Sequence, residues 1–260
     1  MIVNASDLNR FEFCPRLIYL TGVLGLKPEP TLEQMAGIVG HYVRKELSFR
    51  QSKVLGRIKS AKELRGVLHS ELDSIVVDVP FIYREKWNSD CDKILPQVKS
   101  EVEKELSLME EKLKFLVEEV GLQEALKIVT PWKVEYDVKS PTLSLSGRVD
   151  KIMKEERLIP VELKTGQAGE SVWEADRIQL CAYCMLLEDK FNENVPSGFV
   201  EYTRIQERRP VLATEKFRRK VVHTRDKVAD ILCGKIPDIC PHGNGRKCEA
   251  CSLKEECYKT

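Results

Sequence analysis

The sequence lacks any apolar run of the roughly 20 residues needed to span a bilayer. Its opening segment, MIVNASDLNRFEF, has neither a basic leader region nor an apolar one. Membrane insertion and export are thereby disfavoured, and a cytoplasmic location without membrane contact is expected. Strong charge of one sign is also missing, since 42 Lys and Arg stand against 41 Asp and Glu, a formal net charge of +1. Contact with a polyanion must then come from a local basic surface and not from the overall balance. No internal repeat or low-complexity stretch occurs, which excludes solenoid and linker architectures. What remains is 260 residues with 42% hydrophobic content, enough for one large core or a core with an appendage.

Cysteine is abundant by contrast. There are nine, an odd number, and four of them fall between Cys240 and Cys257. Bunching of this kind in a reducing compartment favours metal ligation over disulfides.

Along the chain, Ser6 is placed to cap a short helix running through Phe11 and Leu17, and a second periodic stretch surrounds Met35, Val39, His41 and Val43. KPEPT between them reads as a turn. From Lys53 to about Val120 the sequence is rich in Glu, Lys and Leu. Leu95, Val98, Val102, Leu106, Met109, Leu113, Leu116 and Val120 recur every three or four residues, so a long amphipathic helix is expected over 95–120. Pro96 is expected in its first turn.

The period then changes to two. Val134, Tyr136 and Val138 alternate with polar residues, and Leu143, Leu145, Val149 and Ile152 continue the pattern past Pro141. Glu155-Glu156-Arg157 separates this from the apolar run Leu158 to Leu163, which predicts an antiparallel hairpin. A helix over 175–190, strands at 198–203 and around Val211, and a helix over 224–232 follow. The expected class is α/β, with a small mixed sheet flanked by helices.

The most informative stretch is GRVDKIMKEERLIPVELKTG. Side chains alternate across a strand, so Glu162 and Lys164 share a face while Leu163 points away. A hairpin brings Asp150 alongside them. Two carboxylates meeting a lysine at the end of an apolar strand suit phosphodiester hydrolysis with a hard cation. The oxygens hold Mg²⁺ or Mn²⁺ and the lysine stabilises developing charge or positions the nucleophile. The same short pattern also arises in a surface hairpin carrying ordinary charges, and a histidine such as His41 in an apolar helix is often a core residue. Gln179 and Tyr183, at i and i+4, lie on one helical face. Their alternative reading is plain packing.

GHYV around His41, GRVD, VELKTG and DRIQLCAYCMLLEDKF occur in this order in RecB-like nucleases of the PD-(D/E)XK superfamily. The set most closely resembles the CRISPR-associated RecB-like exonuclease family. The resemblance covers residues 1–50 and 130–260 and implies a restriction-endonuclease-like core. It implies that His41, Asp150, Glu162 and the backbone carbonyl of Leu163 bind metal, that Asp150, Glu162 and Lys164 are catalytic, and that Gln179 and Tyr183 orient substrate. It further implies exonuclease action on single-stranded DNA ends and a role in processing CRISPR spacer precursors beside the integrase. A general end-resection or repair nuclease, and a DNA-binding scaffold that no longer cuts, are the competing expectations.

In the tail CPHGNGRKCEACSLKEEC, Cys248, Cys251 and Cys257 leave one ligand to be found, with Cys240, His242 and the distant Cys14 as the candidates. A local set completed by Cys240 suits tetrahedral zinc. FEFCPRLIYL resembles the N-terminal cysteine motif of the same family, which implies an iron–sulfur cluster on Cys14, Cys248, Cys251 and Cys257, a [4Fe–4S] centre ahead of [2Fe–2S], clasping both ends of the chain. The spacing alone does not choose between cluster types. Cys181 and Cys184 are expected to be helix packing. The chain is thus expected to be a single nuclease domain over 1–260, with a helical insertion at 52–130, the core at 131–232 and the cluster region in 1–24 and 233–260. The nine Lys or Arg against three acidic residues from Arg204 to Lys227 are the expected phosphate track.

Overall fold

The computed structural model describes residues 1–27, 30–249 and 251–260. Pro28 and Glu29 of the KPEPT turn lie outside the described residues. No helix among them is long and apolar enough to cross a membrane.

The chain opens with strand β1 (Val3–Asn4), helix α1 (Ala5–Phe13) and helix α2 (Pro15–Ile18). Asn4, not Ser6, caps α1, because its side chain accepts the Ser6 N–H. The helix does not run on to Leu17. It breaks at Cys14, which is extended as residues before proline tend to be, and Pro15 starts the next helix at its first position.

A helical layer follows, made of α3 (Leu32–Phe49), α4 (Gln51–Leu55), α5 (Leu64–Ile82), α6 (Ser89–Val120) and α7 (Leu122–Val129). Thr31 and Gln34 form a reciprocal capping box at the start of α3. On α6 the apolar residues Val98, Val102, Leu106, Met109 and Leu113 face Val39, Val43 and Leu47 of α3 and Leu68, Leu72 and Ile75 of α5 in one apolar core. The expected long helix is present but starts earlier, at Ser89, because Asn88 accepts the Asp90 and Cys91 N–H groups. Pro96 therefore lies inside the helix and not in its first turn. It is exposed, so the Asp92 carbonyl it deprives of a partner can turn to water.

The sheet is built from β2 (Lys133–Ser140), β3 (Leu145–Lys154) and β4 (Leu158–Lys164). It is completed after helix α8 (Glu174–Phe191) by β5 (Ser197–Tyr202) and β6 (Glu207–Leu212). β3 and β4 form the expected antiparallel hairpin, and β4 runs parallel to β5, across the α8 connection. β2 pairs with the other edge of β3. The α/β class with a mixed six-stranded sheet and flanking helices is as the sequence implied. Residues of α8 are buried all round, so it fills the main core between α1, the sheet and α9 (Glu215–Leu232). α9 is twice the expected length, because the side chain of Thr214 caps it well before Thr224. Short helices α10 (Gly245–Glu249) and α11 (Lys254–Lys259) close the chain against its beginning. There Lys247 donates to the Glu12 and Phe13 carbonyls, and Arg16, 2% exposed, reaches Pro237 and Cys257.

Candidate active site

The site begins where β3 and β4 part. Their ladder ends at Lys151 opposite Val161. One step on, Asp150 faces Glu162, and the Leu163 N–H that the ladder leaves unpaired donates to Asp150 Oδ2 at 2.8 Å. Splaying thus trades a backbone hydrogen bond for a side-chain one and pins the carboxylate in place. Alternation on β4 is as expected. Val161 and Leu163 pack with Met153 and Phe49, while Glu162 and Lys164 turn to α8.

Four of the sequence-derived residues form one connected network. Lys164 Nζ lies 3.1 Å from Glu162 Oε1 and 3.5 Å from Gln179 Oε1. Gln179 Nε2 donates to Glu162 Oε1 at 3.0 Å and to the Tyr183 hydroxyl at 2.9 Å. The Tyr183 ring reaches this position because β3 carries Gly147 there, where a Cβ would lie 2.7 Å from the ring. Asp176, one turn before Gln179 on α8, completes the grip on Lys164 at 2.9 Å and accepts from Asn9 at 2.8 Å. Sequence reasoning missed Asp176, although its i, i+3 spacing to Gln179 puts both on one face.

His41 arrives from α3, its Nδ1 3.2 Å from the Thr165 hydroxyl. Two residues that sequence reasoning missed stand beside it. Lys45, one turn further along α3, lies 2.5 Å from Asp150 Oδ1 and contacts Glu135 of β2, the residue opposite Asp150 in register. His41, Lys45, Glu135, Arg148 and Asp150 line one end of a cleft of about 1000 Å³. The end of α5 and the turn after it, with Phe81, Arg84 and Lys86, line the same cleft.

The electrostatics are those of crowded, water-poor carboxylates. Burial, and then the Asp150 charge, push the Glu162 carboxyl up to about 7. Burial pulls Lys164 down, but Glu162 and Asp176 outweigh it and hold the ammonium above the ordinary lysine range. Burial and the neighbouring Lys45 pull His41 to about 4, so at neutral pH its ring is uncharged and a nitrogen lone pair is available.

Among the described residues, no three His, Cys, Asp or Glu side chains stand close enough together to hold an ion as they lie. The donor chemistry nevertheless fits a hard divalent cation. Asp150 and the neutral imidazole of His41 line one cleft, Glu162 lies opposite Asp150 on the next strand, and the ammonium groups of Lys45 and Lys164 meet the negative charge of the two carboxylates.

The second cluster lies at the chain ends. Cys14, Cys248, Cys251 and Cys257, together with Cys240 and His242, line one small cavity. Cys240 Sγ is 3.3 Å from Cys248 Sγ, and Arg16 Nε donates to Cys257 Sγ at 3.2 Å. Arg16, Lys247 and Lys254 share the lining, and their charge suits an anionic thiolate centre. Cys181 and Cys184 are buried in the main core as expected.

The basic stretch from Arg204 to Lys227 is mostly tied down. Arg208 is paired with Glu201, Arg209 with Glu207 and Arg218 with Glu188. Lys220 is paired with Glu174, and Arg225 donates to the Leu143 carbonyl. About half of its excess charge is thus met by carboxylates from outside the stretch, while Arg204, Lys216, Arg219 and Lys227 stay exposed.

Splayed strands carrying Asp, Glu-x-Lys and a covering helix are the architecture of a metal-dependent nuclease. The chain matches the PD-(D/E)XK nuclease superfamily over residues 3–258, and it belongs to that superfamily. Nucleases of this superfamily use divalent metal ions. The chain is 30% identical over 125 residues to a CRISPR-associated exonuclease Cas4/endonuclease Cas1 fusion of Leptospira interrogans, which covers 45% of this chain and 23% of that protein. It is 26% identical over 120 residues to the human DNA replication ATP-dependent helicase/nuclease DNA2, covering 43% and 11%. The matched region is less than a quarter of the length of either curated relative.

Proposed function

We propose that the chain hydrolyses DNA phosphodiester bonds with Mn²⁺ or Mg²⁺ and works as an exonuclease on single-stranded ends. The observation that carries this reading is the hydrogen-bonded network of Glu162, Lys164, Gln179 and Tyr183 next to Asp150, which itself lines a cleft together with His41. Asp150, Glu162, His41 and the Leu163 carbonyl would hold the ion. When bound, it supplies an activated water and neutralises phosphate charge. Lys164, fixed by Glu162 and Asp176, presents a permanent positive charge toward the attacked phosphate. Gln179 and Tyr183 keep Lys164 and Glu162 in register for substrate. Single strands are favoured because the cleft is lined by Phe81, 75% exposed, together with Arg84 and Lys86. An exposed ring stacks on an unpaired base while the cations meet the backbone. End-labelled single- and double-stranded DNA incubated with Mn²⁺, Mg²⁺ or EDTA tests this. Ion-dependent shortening from the ends of single strands is expected, with none in EDTA. Cleavage that persists in EDTA would sink the metal assignment.

The similarity to an exonuclease fused to a Cas1 endonuclease supports a place in CRISPR spacer processing beside the integrase. The similarity to a replication helicase/nuclease supports the second reading, general end resection. We also infer that residues 52–130 are a helical insertion in a single nuclease domain whose core is 131–232, since their apolar residues close mainly on one another and on α3.

For the chain ends we infer an iron–sulfur cluster on Cys14, Cys248, Cys251 and Cys257 that clasps 1–24 to 233–260. Its support is the shared cavity, with a buried arginine donating to one of the four thiols. Anaerobically purified protein is expected to be coloured and to contain iron. Cys14→Ala should lose both and weaken DNA binding indirectly. Stoichiometric zinc without iron would overturn the assignment in favour of the local set with Cys240.

A further inference from the structure

Asp150 has two carboxylate oxygens and neither is free. Oδ2 accepts the Leu163 N–H. Oδ1, the one left for an ion, is held by the Lys45 ammonium at 2.5 Å. Lys45 is buried, is supplied by the helix that carries His41, and also touches Glu135. Glu135 sits directly opposite Asp150 in the β2–β3 ladder and is turned by a backbone φ of 49°, in the left-handed region that a glutamate in a strand rarely adopts. Its second oxygen is paired with Arg148 at 2.9 Å. Lys45 thus has a carboxylate on either side, and only one of them is needed for metal.

We infer that Lys45 is an internal cation that competes with the divalent ion for Asp150 Oδ1, and that Glu135 is the holding point to which the ammonium retreats when the ion binds. The inference rests on the metal-dependent nuclease reading above. Lys164 already pairs with Glu162, so without Lys45 it is Asp150 that would lie buried with no cation of its own. Lys45 supplies that cation in the metal-free protein, at the cost of weaker metal binding. Glu135 limits the cost, because displacing Lys45 from Asp150 does not leave a buried ammonium unpaired.

The two residues therefore act on metal affinity with opposite signs, and the effect of one depends on the other. Calorimetric titration with Mn²⁺ reads this without any turnover. Lys45→Met, of similar length and uncharged, is expected to tighten Mn²⁺ binding at least tenfold and to enlarge the metal-induced rise in melting temperature. Glu135→Gln is expected to weaken binding several-fold in the native background and to have no effect in the Lys45→Met background. Unchanged or weaker binding by Lys45→Met overturns the inference. An equal loss for Glu135→Gln in both backgrounds overturns the role given to Glu135 and makes it a ligand instead. Lys45→Arg keeps the charge and the fold, so it serves if Lys45→Met does not fold. Its forked donor should hold Asp150 more firmly and weaken Mn²⁺ binding, and unchanged binding overturns the inference. Wild-type protein that binds Mn²⁺ and cuts DNA while these variants bind alike would refute the competition alone. Wild-type protein that takes up no Mn²⁺ would refute it together with the nuclease reading.

Discussion

Replacing Lys164 by alanine or methionine should lower the rate of DNA cleavage at saturating Mn²⁺ by about 10²–10³-fold, the usual loss when one preorganised charge or donor is taken from a transition state. The structure gives the reason for so large an effect from one side chain. Lys164 is gripped by Glu162 and Asp176, with Gln179 at 3.5 Å, so its charge is fixed and little reorganisation is needed as the phosphate gains charge. Its position above the ordinary lysine range keeps it protonated throughout the physiological interval. DNA binding, measured in Ca²⁺ to prevent cutting, should change only a few-fold. Lys164→Arg should recover part of the rate but not all of it, because a planar fork cannot occupy the place of a compact ammonium between two carboxylates. If Lys164 served only to neutralise Glu162 and Asp176, cleavage by the alanine variant would stay within about threefold of wild type.

How much of this centre was legible beforehand follows from distance along the chain. Glu162, Lys164, Gln179 and Tyr183 were readable because strand and helix periods dictate which of them share a face, and they do interact. Asp176 was within the same reach and was passed over. Lys45 shares a helical face with His41 at i+4, but its meeting with Asp150, like the place of Glu135, was not readable by any local rule. Lys45 meets Asp150 across 105 positions of chain, and Glu135 lies opposite Asp150 only because Lys133–Ser140 pairs in this register. The basic stretch after Arg204 taught the reverse lesson. Its charge excess is real in the sequence, but the carboxylates that absorb it come from elsewhere, Glu188 for Arg218 and Glu174 for Lys220. Net charge over a window says nothing of partners outside it. The fold was legible where period and punctuation agreed, as in the β3–β4 hairpin. It failed at helix starts, where a single capping residue, Asn88 or Thr214, moved a boundary by several residues.

The largest stability effect should come from the opposite face of the sheet. Glu201 on β5 is 4% exposed and joins three elements. Lys151 of β3 donates to both its oxygens at 2.9 and 3.0 Å, Ser48 of α3 donates at 2.5 Å, and Arg208 of β6 at 2.7 Å. Two buried or half-buried cations depend on this one carboxylate. Glu201→Gln should therefore destabilise the protein by about 3–5 kcal/mol in urea unfolding, the usual result of leaving a buried charge without its partner. Replacing the pair together, Lys151→Met with Glu201→Leu, should cost much less, since no orphaned lysine remains. The same network sets an acid limit. Burial opposes ionisation of Glu201, but Lys151 and Arg208 overcome it and hold the carboxyl far below the ordinary glutamate range. A depressed folded-state value means the stabilisation is complete above the unfolded glutamate value of about 4.3 and is lost as the pH falls below it. Wild-type stability should then drop steeply below about pH 4.3, and the Glu201→Gln variant should show a shallower decline from its lower starting point. Parallel acid profiles for the two proteins would mean that Glu201 is not what fastens α3, and with it His41 and Lys45, to the sheet.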